Sequence, residues 1–199
     1  MIKINKGKKT ILIIFLIALI PTFIIGKRLI ALDLQRQAIE LCSPFSVEKD
    51  FEAALSKIDL ALKLAPRNYL FYGTKAEFLV SQKKLKESNT VIRQIFDFKE
   101  DYAEGYVMVA MNYERMDQND SAKIIYQKAL ETYQKRIEKN KPDKDLLLLE
   151  RLNIGFILRK LGQDNKAKQL FEQLKKEYPG EMEYIKAIEN QELDIHNVS

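Results

Sequence analysis

A spacing limits this chain's fold more than any single residue does. Three segments, Ala54-x-x-x-Ile58-x-x-Ala61, Ser88-x-x-x-Ile92-x-x-Ile95 and Ala122-x-x-x-Tyr126-x-x-Ala129, begin 34 residues apart. A fourth, Ala167-x-x-x-Phe171-x-x-Leu174, follows after a longer gap. Residues at i, i+4 and i+7 share one helical face, so each segment predicts an amphipathic helix whose buried stripe opens on a small residue. A second set of small residues precedes the last three segments, at Ala76, Ala110 and Gly155. Each is followed three positions on by a large residue, Leu79, Tyr113 or Leu158. A helix pair repeated at such a period cannot bury its apolar face alone, and stacking the pairs makes a continuous core. Seven glycines, five prolines and no tryptophan, with abundant Leu, Ile, Lys, Glu and Gln, suit helices.

These residues resemble the tetratricopeptide repeat. The segments at Ala54, Ser88, Ala122 and Ala167 are similar to its second helix, and Tyr106-Val-Met-Val-Ala-Met-Asn-Tyr113 is the best copy of its first. Pro66 and Pro179 stand where a proline often closes the unit. The resemblance implies an all-α fold, an antiparallel helix-hairpin solenoid wound as a superhelix. Its units fall at about 35–66, 69–100, 103–136 and 148–179, within 35–179. Cys42 takes the small crossing position of the first unit and reads as a packing residue. Extra residues at 137–147, holding the turn signal Asn140-Lys-Pro-Asp-Lys144, predict lengthened helices around a corner. Residues 181–193, with Met182, Ile185 and Ile188 at helical spacing, predict a C-terminal capping helix ahead of a frayed tail at 194–199.

The N-terminus has a different character. Residues 1–10 form a basic tail with Lys3, Lys6, Lys8 and Lys9. Residues 11–25, ILIIFLIALIPTFII, carry no charge. At about 1.5 Å per residue they span roughly 22 Å, short of a hydrocarbon core of roughly 30 Å. Lys9 and Lys27 can snorkel, and apolar residues 29–32 continue the run. Segment 11–32 is expected to be a transmembrane helix with its juxtamembrane extension, and Pro21 is tolerable there. The competing reading is a cleaved signal peptide, although Ile24-Ile25-Gly26 offers no small-x-small cleavage site. The lysine excess points to a single-pass protein with a cytoplasmic N-terminus and its repeats on the periplasmic, extracellular or lumenal side.

The net charge of +5 sits in that tail, because beyond residue 26 there are 29 basic and 28 acidic residues. A nucleic-acid binder keeps its excess in the folded part, so no nucleic-acid partner is expected. One cysteine and one histidine, His196, exclude a disulfide or zinc framework, and no phosphate-binding glycine loop or hydrolase motif occurs. No catalytic residue, metal or cofactor is expected. The resemblance implies a concave groove lined by the first helices, taking a protein or peptide partner. Its lining would be Gly73, Glu77 and Val80, then Val107, Met111, Glu114 and Arg115, then Leu152, Phe156, Arg159 and Lys160. An apolar middle with charged rims suits an extended or helical peptide. The alternative occupant is the C-terminal helix, through Met182, Ile185 and Ile188. The basic clamp by which some relatives hold acidic chaperone tails is missing in either register: one offers Ile39, Ser43 and Glu104, the other Gly73, Glu77, Leu149 and Asn153. The sequence therefore reads as a membrane-anchored interaction scaffold or adaptor assisting assembly of an envelope or membrane complex. The alternatives are a soluble exported binder released by signal cleavage, or a self-associating homo-oligomeric component.

Overall fold

The computed structural model describes residues 6–43 and 49–190, with side chains from residue 23 onward. The start of the basic tail, Pro44, the end of segment 181–193, the tail 194–199 and His196 lie outside the described residues. All regular structure among the described residues is helical. The helices are α1 (Lys6–Leu41), α2 (Phe51–Leu64), α3 (Tyr69–Ser81), α4 (Leu85–Phe96), α5 (Ala103–Arg115), α6 (Asn119–Asn140), α7 (Lys144–Lys160), α8 (Asp164–Glu177) and α9 (Met182–Glu189), with a 3₁₀ turn at Pro179–Glu181 before α9. Helices α2, α4 and α6 start at Phe51, Leu85 and Asn119, which are 34 residues apart. The chain divides into two compact units, one through Lys83 and one from Lys84.

In the first unit the C-terminal part of α1 lies along α2 and α3. Ala38 is fully buried with Ala54, Ile58 and Phe78, and Ala31 with Ala61 and Phe71. Asp50 caps α2 by accepting from the Ala53 amide at 2.9 Å, and Asn68 caps α3 by accepting from the Leu70 amide at 3.2 Å. Gln35 donates to the Thr74 hydroxyl at 2.8 Å, tying α1 to α3. The small residues of α1 are therefore Ala31 and Ala38. Cys42 does not take the crossing position. The connection from Leu41 to Phe51 is longer than the turn from Ser81 to Leu85, so the helix has already ended where a short turn would have put the cysteine. Cys42 is half-buried at the rim of the Ala38 cluster, and burial pushes its thiol above the ordinary range, leaving it little thiolate to react with.

Helix α1 runs unbroken through Pro21 and Gly26. Among the described residues no helix is long and apolar enough to cross a membrane, so the expected transmembrane helix over 11–32 is not met there; residues 11–22 are described by backbone alone. The part whose side chains are described leaves Phe23, Ile24, Ile25, Leu29, Ile30 and Leu32 exposed.

The second unit holds α4 to α9. Ala110 of α5 is buried with Ala122, Tyr126 and Ala129 of α6, and Gly155 of α7 faces Phe171 of α8. A Cβ at Gly155 would stand 2.6 Å from Cζ of the Phe171 ring, closer than side chains pack. Asn112 donates to the Ser88 hydroxyl at 3.1 Å and the Asn89 carbonyl oxygen at 2.8 Å, a buried polar link between α4 and α5. The turns after α5 and α7 have one design. Asp117 and Gly162 are left-handed, at φ 58° and 73°. The next amides, of Gln118 and Gln163, close back onto the carbonyls of Tyr113 and Leu158 at 2.9 and 2.8 Å. Around the corner expected at 137–147, α6 continues to Asn140, Lys141 is left-handed at φ 44°, and Asp143 caps α7 by accepting from the Leu146 amide at 2.9 Å. Helix α9 packs on α7 and α8 through buried Ile185 and Ile188, while Met182 stays exposed.

Gly155→Val is expected to destabilise the chain by about 2 kcal/mol through overpacking against Phe171, and adding Phe171→Leu should recover part of the loss. Thermal unfolding of the two variants against the wild type measures both.

Candidate functional site

The expected lining residues divide according to their place on the helix. Gly73, Val107 and Leu152 each precede a crossing residue (Ala76, Ala110, Gly155) by three positions, and residues three apart share a face. All three are buried, Val107 and Leu152 completely, so none of them lines an open surface. The remaining eight are accessible. In the first unit Glu77 is exposed and Val80 half-buried on α3. In the second unit Met111, Glu114, Phe156, Arg159 and Lys160 are half-buried and Arg115 is exposed.

Within the second unit Glu114, Phe156 and Lys160 meet. Glu114 of α5 accepts from Lys160 of α7 at 2.8 Å and from the Tyr126 hydroxyl of α6 at 3.0 Å. The Tyr126 ring meets Phe156 edge-on, with centroids 6.3 Å apart, and the Lys160 ammonium lies 5.5 Å from the Phe156 ring centre. The Glu114–Lys160 pair is partly exposed and contributes at most about 1 kcal/mol. Its effect is positional: it ties α5 to α7 one helical turn beyond Met111 and Phe156. A cavity of about 540 Å³ opens beside Phe156, Arg159 and Lys160 and runs to Ile188 and Glu189 of α9. Arg159 lies against the Phe171 ring, 5.1 Å from its centre, and donates to the Glu189 carbonyl. Helix α9 thus engages Arg159 while Met111 and Phe156 keep solvent access.

A second constellation escaped the sequence reading. Arg136 of α6 bridges Glu104 of α5 at 2.5 Å and Glu150 of α7 at 2.8 Å. Burial opposes the charge on Arg136, but its hydrogen bonds to Glu104 and Glu150 outweigh burial and leave it above the ordinary arginine value. Burial raises the Glu150 carboxyl, and Arg136 offsets this only in part. Burial also keeps the Tyr133 hydroxyl, stacked beneath Arg136, well above its ordinary range and so neutral. A cavity of about 350 Å³ lies here, lined by Glu104, Tyr133, Arg136, Glu150 and Asn153 together with Leu146, Leu149 and Tyr184. The Tyr133 hydroxyl and the Asn153 carbonyl oxygen are buried without a hydrogen-bond partner. The one signal in the sequence was Glu150, a charge directly after four leucines.

A hydroxyl without a partner adds nothing to stability, whereas a buried carboxylate deprived of its guanidinium is costly. Tyr133→Phe is therefore expected to leave stability unchanged or raise it by about 1 kcal/mol. Arg136→Met should lose about 3–5 kcal/mol, largely recovered in Arg136→Met/Glu150→Met. Denaturant unfolding of the three variants checks the order.

Family profiles described as tetratricopeptide repeat match residues 103–136 and 151–180, and these segments are tetratricopeptide repeats. A search of the curated proteins found no match. Among solved structures, the chain is similar to "MamA 41-end from Desulfovibrio magneticus RS-1", at 18% identity and a TM-score of 0.46, over 77% of this chain and 76% of that one. It is similar to "MamA RS-1 ArsTM double mutant" at 18% identity and a TM-score of 0.46, over 73% and 74%. A third, "Crystal structure of MamA", gives 14% identity and a TM-score of 0.44, over 67% and 72%.

Proposed function

We propose that this tetratricopeptide-repeat protein is a membrane-anchored scaffold that docks a peptide of another protein on the inner face of α5 and α7. In this reading the chain binds and performs no chemistry. The observation that carries it is the bridge from Glu114 to Lys160, because Met111 and Phe156 lie one helical turn before those two residues on the same helix faces and are both accessible. Apolar anchors ringed by charge are the usual make-up of a peptide-docking surface. The unit boundaries 35–66, 69–100, 103–136 and 148–179 belong to the same proposal, as does assistance to assembly of an envelope or membrane complex.

The anchor rests on the sequence of residues 11–25 and on α1. An exposed run of Phe23, Ile24, Ile25, Leu29, Ile30 and Leu32 has no place in water on a helix of this length. Helix α1 is continuous from Lys6 to Leu41, so the proposed anchor and the first repeat's helix would be one element. A membrane-spanning segment and its folded domain would then be joined without a flexible linker.

Two measurements test the two parts. Detergent-solubilised full-length protein is expected to retain a partner in a pulldown read by mass spectrometry, and Met111→Glu/Phe156→Glu to lose it with helicity unchanged. A partner retained by the double variant sinks the inner-face reading. Full-length chain should stay with membranes through alkaline carbonate extraction, and Leu16→Lys/Leu19→Lys should be released; release of the wild type removes the anchor.

A further inference from the structure

We propose that a cavity of the first unit, between α1 and the turn joining α2 to α3, holds the phosphate headgroup of an anionic phospholipid; this rests on the anchor reading. The cavity exists because α1 outruns the hairpin it packs on. Ala31 is buried with Ala61 of α2 and Phe71 of α3. One turn nearer the N-terminus the same side of α1 carries Lys27 and Arg28, and one turn beyond those it carries Ile24, all three exposed. Between Leu64 and Tyr69 the chain turns from α2 into α3. A space of about 730 Å³ is left between these α1 residues and the turn residues Pro66, Arg67 and Asn68.

The charge around this space is of one sign. Lys27, Arg28 and Arg67 line it, and no carboxylate does. Among the described residues none of the three has an ion-pair partner. Two stretches meet here, and neither holds an acid: there is no acidic residue before Asp33 and none from Leu60 to Ala76. Of the acids that border them, Asp33 pairs with Arg36 at 2.7 Å and Asp59 with Lys75 at 2.6 Å. The third, Glu77, stands more than two turns into α3. The first residues of α3 also line the cavity and add the positive end of the helix dipole. Cations from two elements without a counter-ion suit an anion that accepts from several donors at once, as a phosphate does. The turn is fixed before anything binds. The Tyr72 hydroxyl donates to the Pro66 carbonyl at 3.0 Å, and the Asn68 amide donates to the Ala65 carbonyl at 3.1 Å.

The apolar walls make that anion a lipid. Ile24, Leu32 and Leu70 line the same cavity and are 51%, 46% and 50% exposed. Ile24 belongs to the uncharged run 11–25. Lys27 and Arg28 follow that run by about 3–5 Å along the helix, within the roughly 5–8 Å depth of one headgroup layer. At that level a phospholipid presents its phosphate to the three cations and its chains to α1. Tyr69, with a ring suited to the same layer, stands beside them. A free phosphate would leave Ile24 and Leu70 facing water. An acidic peptide would have to run along a helix face that the anchor reading places in lipid.

Full-length chain in detergent micelles, titrated with phosphatidylglycerol or with phosphatidylcholine of equal chain length, tests this by native mass spectrometry. One phosphatidylglycerol per chain is expected to be retained, and phosphatidylcholine to be lost. A basic residue near a membrane surface is worth about fivefold in affinity. Arg67→Gln should therefore weaken phosphatidylglycerol about fivefold, and Lys27→Gln/Arg28→Gln/Arg67→Gln about a hundredfold, with helicity unchanged. Lys63→Gln removes an exposed charge outside the cavity and should change nothing. Phosphatidylglycerol held as well by the triple variant as by the wild type overturns the proposal. So does its displacement by an equal concentration of glycerol phosphate or hexaglutamate, which makes the cavity a site for free anions or for an acidic peptide. The anchor and the lipid site fail separately. A chain that stays with membranes through carbonate extraction but holds both lipids alike keeps the anchor and loses the site. A chain that carbonate releases, yet which retains phosphatidylglycerol through Arg67, loses the anchor and keeps the site.

Discussion

How near two helix axes can come decides the rest of this structure. At Gly155 the approach is so close that a single added carbon would reach the Phe171 ring. Ala110 among Ala122, Tyr126 and Ala129, and Ala38 with Ala54 and Ile58, make the same kind of contact with a methyl to spare. Small residues on one helix let a large one on its partner enter, and Tyr126, Phe171 and Ile58 are all fully buried as a result. Burying side chains of this size stabilises by about 1.5–3 kcal/mol each relative to exposure. The same closeness leaves no room for side chains at the crossing face, so anything that meets a partner must come from the positions next to it.

That geometry explains what the sequence could and could not tell. The period was legible because it is carried by residue size, and size is visible in a sequence. The inner face was legible only in part. Met111 and Phe156 stand one position past the crossing residue and are accessible, whereas Gly73, Val107 and Leu152 stand three before it and are buried. Cys42 was misplaced because its reading assumed a short turn, and the connection from Leu41 to Phe51 is long. The turn residues hid for another reason. Of the matching left-handed positions Lys83, Asp117 and Gly162, one alone is glycine, so the conformation has no constant residue to mark it. The Arg136 cluster joins residues from three helices, and pairings of that kind leave no trace in spacing.

Two neighbouring features of the second unit have opposite electrostatic character. Around Phe156 the cations Lys160 and Arg159 lie against aromatic rings and balance Glu114. Around Tyr133 carboxylates outnumber the cation, and acceptors are left unmet. Helix α9 completes the unit by covering α7 and α8 with Ile185 and Ile188, and it leaves Met111 and Phe156 accessible.

In the proposed function another protein sits on the inner face of α5 and α7. Site-specific photocrosslinking in intact membranes addresses it directly, with a benzophenone amino acid placed singly at Met111, at Phe156 and at Ile124, an exposed apolar residue of α6. One and the same adduct is expected from Met111 and Phe156 and none from Ile124. An adduct from Ile124 with none from the other two would contradict it.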